Sequence, residues 1–222
     1  VSPVPLGLLG GTFDPIHYAH LRLAEELADA FGLGQVRFVP ASVPPHRGVP
    51  RASPEQRRRM VELAIAGNPR FSLDDRELQR EGTSYSYDTL TEVRNEIGDQ
   101  PLCLLMGADA FVALTTWHRW EEVLDLVHVV VARRPGYPLE QLAASLPGAL
   151  KSQYVHRHLA DARGARLEPA GRIFTHELTA LDVSATALRQ QIARGSSLRY
   201  LLPDAVIAYI ESQRLYRTPD AR

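Results

Sequence analysis

Little in this sequence is in excess, and its shortages narrow the field first. There is one cysteine in 222 residues, so no disulfide framework can staple the chain, and a reducing compartment is expected. That cysteine, Cys103, lies within Leu102-Cys103-Leu104-Leu105-Met106. Among apolar neighbours it reads as a small core filler, since a nucleophilic thiol needs electropositive, partly open surroundings. The net charge is −1, too small to pull the chain toward nucleic acid or an anionic membrane, so phosphate binding would have to come from local geometry. No stretch approaches the ~20 apolar residues that span a bilayer, and no charged-then-apolar leader opens the sequence. A cytoplasmic protein is expected, with no membrane or nucleic-acid partner. Internal repeats, low-complexity tracts and Pro/Gly-rich linkers are also missing. A single domain over residues 1–222 is the economical expectation, and α/β domains commonly reach ~200–250 residues.

What is present is an alternation of strand-like and helix-like segments. Pro5 to Leu9 is a short apolar run ending in Gly10-Gly11. From Tyr18 to Phe31, apolar Leu21, Ala24, Ala28 and Phe31 recur at helical spacing. Val36 to Val39 reads as a strand stopped by Pro40, and Ser53-Pro54-Glu55-Gln56 reads as a helix start with a capping box and proline at the first position. Met60, Leu63 and Ala64 give that helix its apolar face, with Arg57-Arg58-Arg59 as a solvated face. A helix over Ser86 to Ile97, a strand over Leu102 to Met106, a short helix over Trp120 to Leu126 and a strand over Val127 to Ala132 follow. A helical insertion or lid is expected around residues 138–170, then a last strand at Ile173 and Phe174. The C-terminal helical segment, residues 184–216, holds helices from Ser184 to Ala193 and from Asp204 to Gln213. Such alternation predicts an α/β fold, a Rossmann-like open, mainly parallel sheet with helices on both faces.

The chemistry begins at Gly10-Gly11-Thr12-Phe13-Asp14-Pro15-Ile16-His17-Tyr18-Ala19-His20. A strand ends in two glycines, which let backbone approach a ligand closely, and a helix follows whose first amides favour phosphate. His17 and His20 are three apart and share a helix face. Two imidazoles beside a phosphate suit charge stabilisation in phosphoryl or nucleotidyl transfer. Spacing alone also allows metal ligation or ordinary polar surface. The second constellation is Val183-Ser184-Ala185-Thr186-Ala187-Leu188-Arg189. Ser184 can cap a helix, and Thr186 and Arg189 lie on one face, so hydroxyl, amides and guanidinium can form a polyanion cradle. By itself a capped helix with an arginine one turn on is more often structural.

The first segment resembles the strand-loop-helix signature of the nucleotidyltransferase superfamily, His-x-Gly-His, with Ala19 in place of its glycine. The longer form Gly-Gly-Thr-Phe-Asp-Pro-x-His is similar to that of bacterial nicotinate mononucleotide adenylyltransferases. The second resembles the superfamily's Ile-Ser-Ser-Thr-x-Ile-Arg. Between them Val43-Pro44-Pro45-His46-Arg47, Ser84-Tyr85-Ser86-Tyr87, Gly107-Ala108-Asp109, Thr116-Trp117-His118-Arg119-Trp120 and Arg133-Arg134-Pro135-Gly136 resemble loops of the nicotinate branch. Here Ser86 replaces threonine, and Ala41 and His118 stand where asparagine and tyrosine are frequent. The resemblance runs from Gly10 to about Tyr216 and is weakest over Leu139 to Pro169.

The resemblance implies transfer of the adenylyl group of ATP to nicotinate mononucleotide, a step of NAD biosynthesis. It implies catalytic roles for His17, His20 and Arg189. Gly10, Gly11, Thr12, Phe13, Gly107, Asp109, Ser184 and Thr186 would meet ATP. His46, Arg47, Ser86, Trp117, His118 and Arg134 would meet nicotinate mononucleotide. No dedicated carboxylate cage is visible, so Mg2+ is expected to come with ATP. Formation of a homo-oligomer is left open. Competing readings are a nicotinamide-preferring enzyme, a phosphopantetheine adenylyltransferase and a non-catalytic nucleotide sensor. His128 reads as a satisfied core histidine, while His156, His158 and His176 have no assigned role.

Overall fold

A computed structural model describes residues 3–42, 49–133, 139–179 and 181–217. The first half runs β1 (Leu6–Gly11), α1 (Tyr18–Phe31), β2 (Gln35–Pro40), α2 (Pro54–Ile65), β3 (Phe71–Leu73), α3 (Arg76–Gln79) and α4 (Ser86–Ile97). The second runs β4 (Leu102–Gly107), α5 (Ala108–Val112), α6 (Trp120–Leu126), β5 (His128–Arg133), α7 (Leu139–Ser145), α8 (Gly148–Arg157), β6 (Ile173–Glu177), α9 (Ala185–Ala193) and α10 (Asp204–Ser212). Short 3-10 turns occupy Leu114–Thr116 and Ala162–Arg166.

The six strands form one sheet in the order β3-β2-β1-β4-β5-β6, and every neighbouring pair is parallel. Alternation along each strand sorts side chains to two faces. On β4, Cys103 and Leu105 join a core with α1, α2, α9 and α10, while Leu102, Leu104 and Met106 join another with α4, α6 and α8. Both faces are dry, which is why these strands read as unbroken apolar runs. Burial pushes the Cys103 thiol up to about 12, so at neutral pH it is a protonated core group. His128, fully buried, accepts the Arg172 N–H at Nδ1 (3.1 Å) and therefore donates from Nε2 to the Glu168 carbonyl (2.8 Å). Burial lowers its pKa, and the neutral ring is fully satisfied.

Local signals agree with these elements. Ser53 Oγ accepts from Gln56 N–H, and Gln56 Oε1 accepts from Ser53 N–H, closing the capping box on α2. Gly32 ends α1 in the left-handed region (φ 58°), donating to the Ala28 carbonyl. The edge strand β3 carries no sequence signal, because three residues are too few to show a period. Because β5 and β6 are parallel neighbours, the chain between them must cross over. It does so through α7 and α8, and Leu142 of α7, Leu146 of the link between them, and Leu150 and Tyr154 of α8 are core residues. Among the described residues no helix is long and apolar enough to cross a membrane.

The strand order places the site. From β1 the chain builds outward through β2 and β3, then returns to lay β4 on the other side of β1. Connections leaving β1 and β4 diverge, and that reversal opens a crevice at the strands' carboxyl ends. There β1 ends in Gly11 and β4 in Gly107.

Candidate active site

At Gly10 and at Gly107 an added Cβ would meet nothing within 4 Å, so backbone borders open space at the reversal. Gly11 is different: a Cβ there would lie 2.9 Å from the Phe13 ring. Phe13 adopts φ 48°, rare for a non-glycine, and is buried. Its ring meets Phe38 at 6.0 Å and, edge-on, His20 at 5.1 Å. Packing against the core thus turns the loop and fixes one side of His20.

His17 is the N-cap of α1, in extended backbone (φ −151°, ψ 170°). Its N–H donates to His20 Nδ1 at 3.3 Å, and the two rings stack with centroids 3.8 Å apart. With Nδ1 accepting, a neutral His20 holds its proton on Nε2. His17 is buried, and among the described residues its Nδ1 has no hydrogen-bond partner.

From the other end of the chain, Ser184 caps α9 by accepting the Ala187 N–H at 3.2 Å. Thr186 and Arg189 do share a face: Arg189 Nη2 lies 3.3 Å from Thr186 Oγ1. Arg189 Nη1 donates to the main-chain oxygen of Asp14 at 2.6 Å, across 175 residues of sequence. The two end motifs therefore meet at one place, beside the β1 end of the crevice.

A second group assembles where α4 and α6 begin. Ser86 is the first residue of α4, and the Tyr85 ring before it lies 4.5 Å from the ring of exposed His118. Tyr87 meets His118 edge-on at 6.4 Å, and the Arg119 guanidinium sits 3.8 Å over the Tyr87 ring. Trp117 is half-buried against the α4/α6 core. Aromatic contact thus sets His118, the chain neighbour of Trp117, against Tyr85 and Tyr87, the two residues that flank Ser86. Asp109 is exposed in the first turn of α5. His46, Arg47 and Arg134 lie outside the described residues.

A model of the cytidylyltransferase-like family matches residues 8–191. The chain is 53% identical to a probable nicotinate-nucleotide adenylyltransferase of Dechloromonas aromatica, covering 96% of this chain and 98% of that one. It is 48% identical to another of that name from Halorhodospira halophila, covering 90% of each. The chain belongs to the nicotinate-nucleotide adenylyltransferase family. In fold it is similar to the Plasmodium falciparum nicotinic acid mononucleotide adenylyltransferase complexed with NaAD (TM-score 0.72, 15% identity, 96% of this chain and 97% of that one).

The solvated face expected for Arg57-Arg58-Arg59 is broken by its first residue. Arg57 is not on a solvated face: it is 1% exposed. Its Nη1 donates to the carbonyls of Thr12 (2.9 Å) and Ala41 (2.6 Å), and its Nη2 to that of Ser42 (2.8 Å). One guanidinium thereby ties the loops leaving β1 and β2. A signal existed, since Arg57, Met60, Val61 and Ile65 form the buried stripe of α2, and an arginine in register with such a stripe is anomalous. Asp14, a motif residue to which the sequence assigns no role, is buried and accepts from the N–H groups of Arg51 (2.9 Å) and Ala52 (3.1 Å). Tyr216, which no pattern marks, also donates to it, at 2.7 Å. His158 stacks on Tyr154 with centroids 4.7 Å apart, a contact within the β5–β6 crossover.

Burial lowers the His17 pKa from 6.5 to about 4. Unfolded, this imidazole binds a proton below 6.5 that the folded form refuses until about 4. Stability from this group is therefore complete above pH 6.5 and is lost as pH falls through that window, up to on the order of 3 kcal/mol. Urea unfolding at pH 7.5 and 4.5 is expected to show a larger acid loss in the native enzyme than in His17→Asn. Equal losses in both would remove His17 as the source.

Proposed function

We propose that this member of the family transfers the adenylyl group of ATP to nicotinate mononucleotide, giving nicotinate adenine dinucleotide and pyrophosphate. A 5′-phosphate oxygen of the mononucleotide forms a bond to the α-phosphorus of ATP, and the bond from that phosphorus to the bridging oxygen breaks, releasing pyrophosphate. The attacking oxygen is already ionised, so positioning and charge stabilisation suffice. The observation that supports this most is the Arg189–Asp14 contact, which joins a helix tip bearing two histidines to a helix tip bearing a hydroxyl pair and a guanidinium.

In this reading the Gly10, Gly11, Thr12 and Phe13 backbone lines the α-phosphate, and His17 and His20 steady its oxygens as charge moves. Ser184, Thr186 and Arg189 hold the leaving pyrophosphate, with α9 offering its amide end. Gly107 and Asp109, across the crevice, serve the nucleoside portion of ATP. Ser86, Trp117 and His118, with His46, Arg47 and Arg134, receive the mononucleotide. Mg2+ enters as part of the ATP substrate, bound by phosphates and water. Because the Asp14 carboxylate is engaged by two main-chain N–H groups and a phenol, it is spoken for as a structural acceptor.

The pyridine substituent decides the acceptor. A carboxylate needs donors, and a site furnished with donors leaves them unpaired against a carboxamide NH2. Pyrophosphate release is measured with ATP and either the acid or the amide mononucleotide. The acid is expected to show a kcat/KM at least about tenfold higher, a modest share of what hydrogen-bonding sites achieve. Equal or amide-preferring turnover would reject the acid reading, and turnover with phosphopantetheine alone would reject the family branch.

A further inference from the structure

The Asp14 carboxylate has few free acceptor positions. Oδ1 takes the Ala52 N–H (3.1 Å) and the Tyr216 phenol (2.7 Å), and Oδ2 takes the Arg51 N–H (2.9 Å). Oδ2 also lies 3.7 Å from Arg189 Nη1, the same nitrogen that donates to the Asp14 main-chain oxygen. Three of roughly four lone-pair positions are therefore filled by protein donors, and the remaining field is answered by a guanidinium. A carboxylate so occupied does not serve as a metal ligand or a general base. It ties the loop after β1, residues 51–52 ahead of α2, and Arg189 of α9 into one unit.

Tyr216 completes that unit from 202 residues away. Helix α10 ends at Ser212, and Leu215 N–H returns to the Ile210 carbonyl at 3.0 Å, which folds the following residues back under the sheet's core. Arg214 (φ 52°) and Tyr216 (φ 61°) both adopt left-handed backbone. Non-glycine residues hold that conformation only where their surroundings over-determine it. Tyr216 is buried within the α1/α2/α9/α10 core, with its hydroxyl also 4.0 Å from Met60 Sδ on α2. Desolvation raises its pKa, so the phenol stays a donor at any working pH.

From this arrangement we infer that Tyr216 is a positioning residue for adenylyl transfer: it holds Asp14, and through Asp14 it sets Arg189 against the loop at the end of β1. The C-terminal turn is thereby part of the active-site scaffold although it touches no substrate. The inference rests on the proposed reaction for its kinetic readout, and on the two end motifs alone for its binding readout.

A double-mutant cycle on the full chain tests it, with Tyr216→Phe, Arg189→Ala and both together. Phenylalanine keeps the ring and removes one hydrogen bond to a charged acceptor, so the thermal midpoint is expected to move by only a few degrees. In the native background Tyr216→Phe is expected to lower kcat/KM by about tenfold, the scale of one such bond. In the Arg189→Ala background it is expected to lower it less than about twofold, because the group it positions is gone. The same pattern is expected in the Kd for ATP, which needs no acceptor. A folded Tyr216→Phe enzyme with undiminished kcat/KM overturns the inference, and so does an equal loss in both backgrounds, the signature of a merely structural tyrosine. If the native enzyme releases no pyrophosphate with nicotinate mononucleotide, the proposed reaction fails, and the ATP cycle still decides the positioning role. Should Tyr216→Phe not fold, Asp14→Asn takes its place. It is isosteric but presents NH2 to donors, and the same coupling criterion applies.

Discussion

Replacing His20 by alanine is expected to lower kcat/KM by at least about 10²-fold, roughly 2.7 kcal/mol of transition-state stabilisation, the low end for loss of one preorganised donor. The expectation follows from how the ring is held. Its Nδ1 accepts the His17 N–H, one face stacks on His17, and its flank meets the Phe13 edge. These contacts fix the tautomer with hydrogen on Nε2 before any substrate arrives, so little reorganisation is left for the reaction itself. Alanine keeps α1, where it is the best helix former. Steady-state kinetics beside a thermal melt checks the prediction, and near-native turnover from a folded His20→Ala enzyme would refute the assignment.

Arg57→Ala is expected to destabilise the protein by about 3–5 kcal/mol, a large part of the ~5–15 kcal/mol that holds a domain together. Three carbonyls, of Thr12, Ala41 and Ser42, lose this guanidinium at once, and each buried acceptor left unmade costs about 1 kcal/mol or more. The buried cation has its own compensation. Burial lowers its pKa, and the nearby Asp14 carboxylate opposes that shift, so alanine also leaves Asp14 with less positive charge around it. Arg57→Met, which restores much of the volume without donors, is expected to recover only a minor part. Equilibrium urea unfolding measures both, and a loss under ~1 kcal/mol in Arg57→Ala would show that the loops after β1 and β2 stand without the clamp.

Much of the architecture was legible in the chain because its signals are local. Helix α1 follows from the spacing of Leu21, Ala24, Ala28 and Phe31, and α2 from Ser53-Pro54-Glu55-Gln56. Strands β4 and β5 follow from short apolar runs, the pattern of strands in a sheet covered on both sides. What escapes the sequence has both local and long-range causes. Strand β3 is too short for a period, and the two arginines beside Arg57 mask its place on the apolar stripe of Met60, Val61 and Ile65. Tyr216 has no pattern at all, since its partner lies 202 residues away.

By itself the sequence determined which residue types stand at each strand end, and hence that a helix tip bearing His17 and His20 and another bearing Ser184, Thr186 and Arg189 lie at opposite ends of the chain. Only the tertiary structure decided that they adjoin, with Arg189 on the backbone of Asp14. It also decided that His118 packs against Tyr85 and Tyr87, on either side of Ser86. The physical reason is that periodicity and capping are encoded within a turn or two of the chain. The reversal of strand order between β1 and β4, which sets those tips beside one crevice, is settled by burying both faces of one parallel sheet at once.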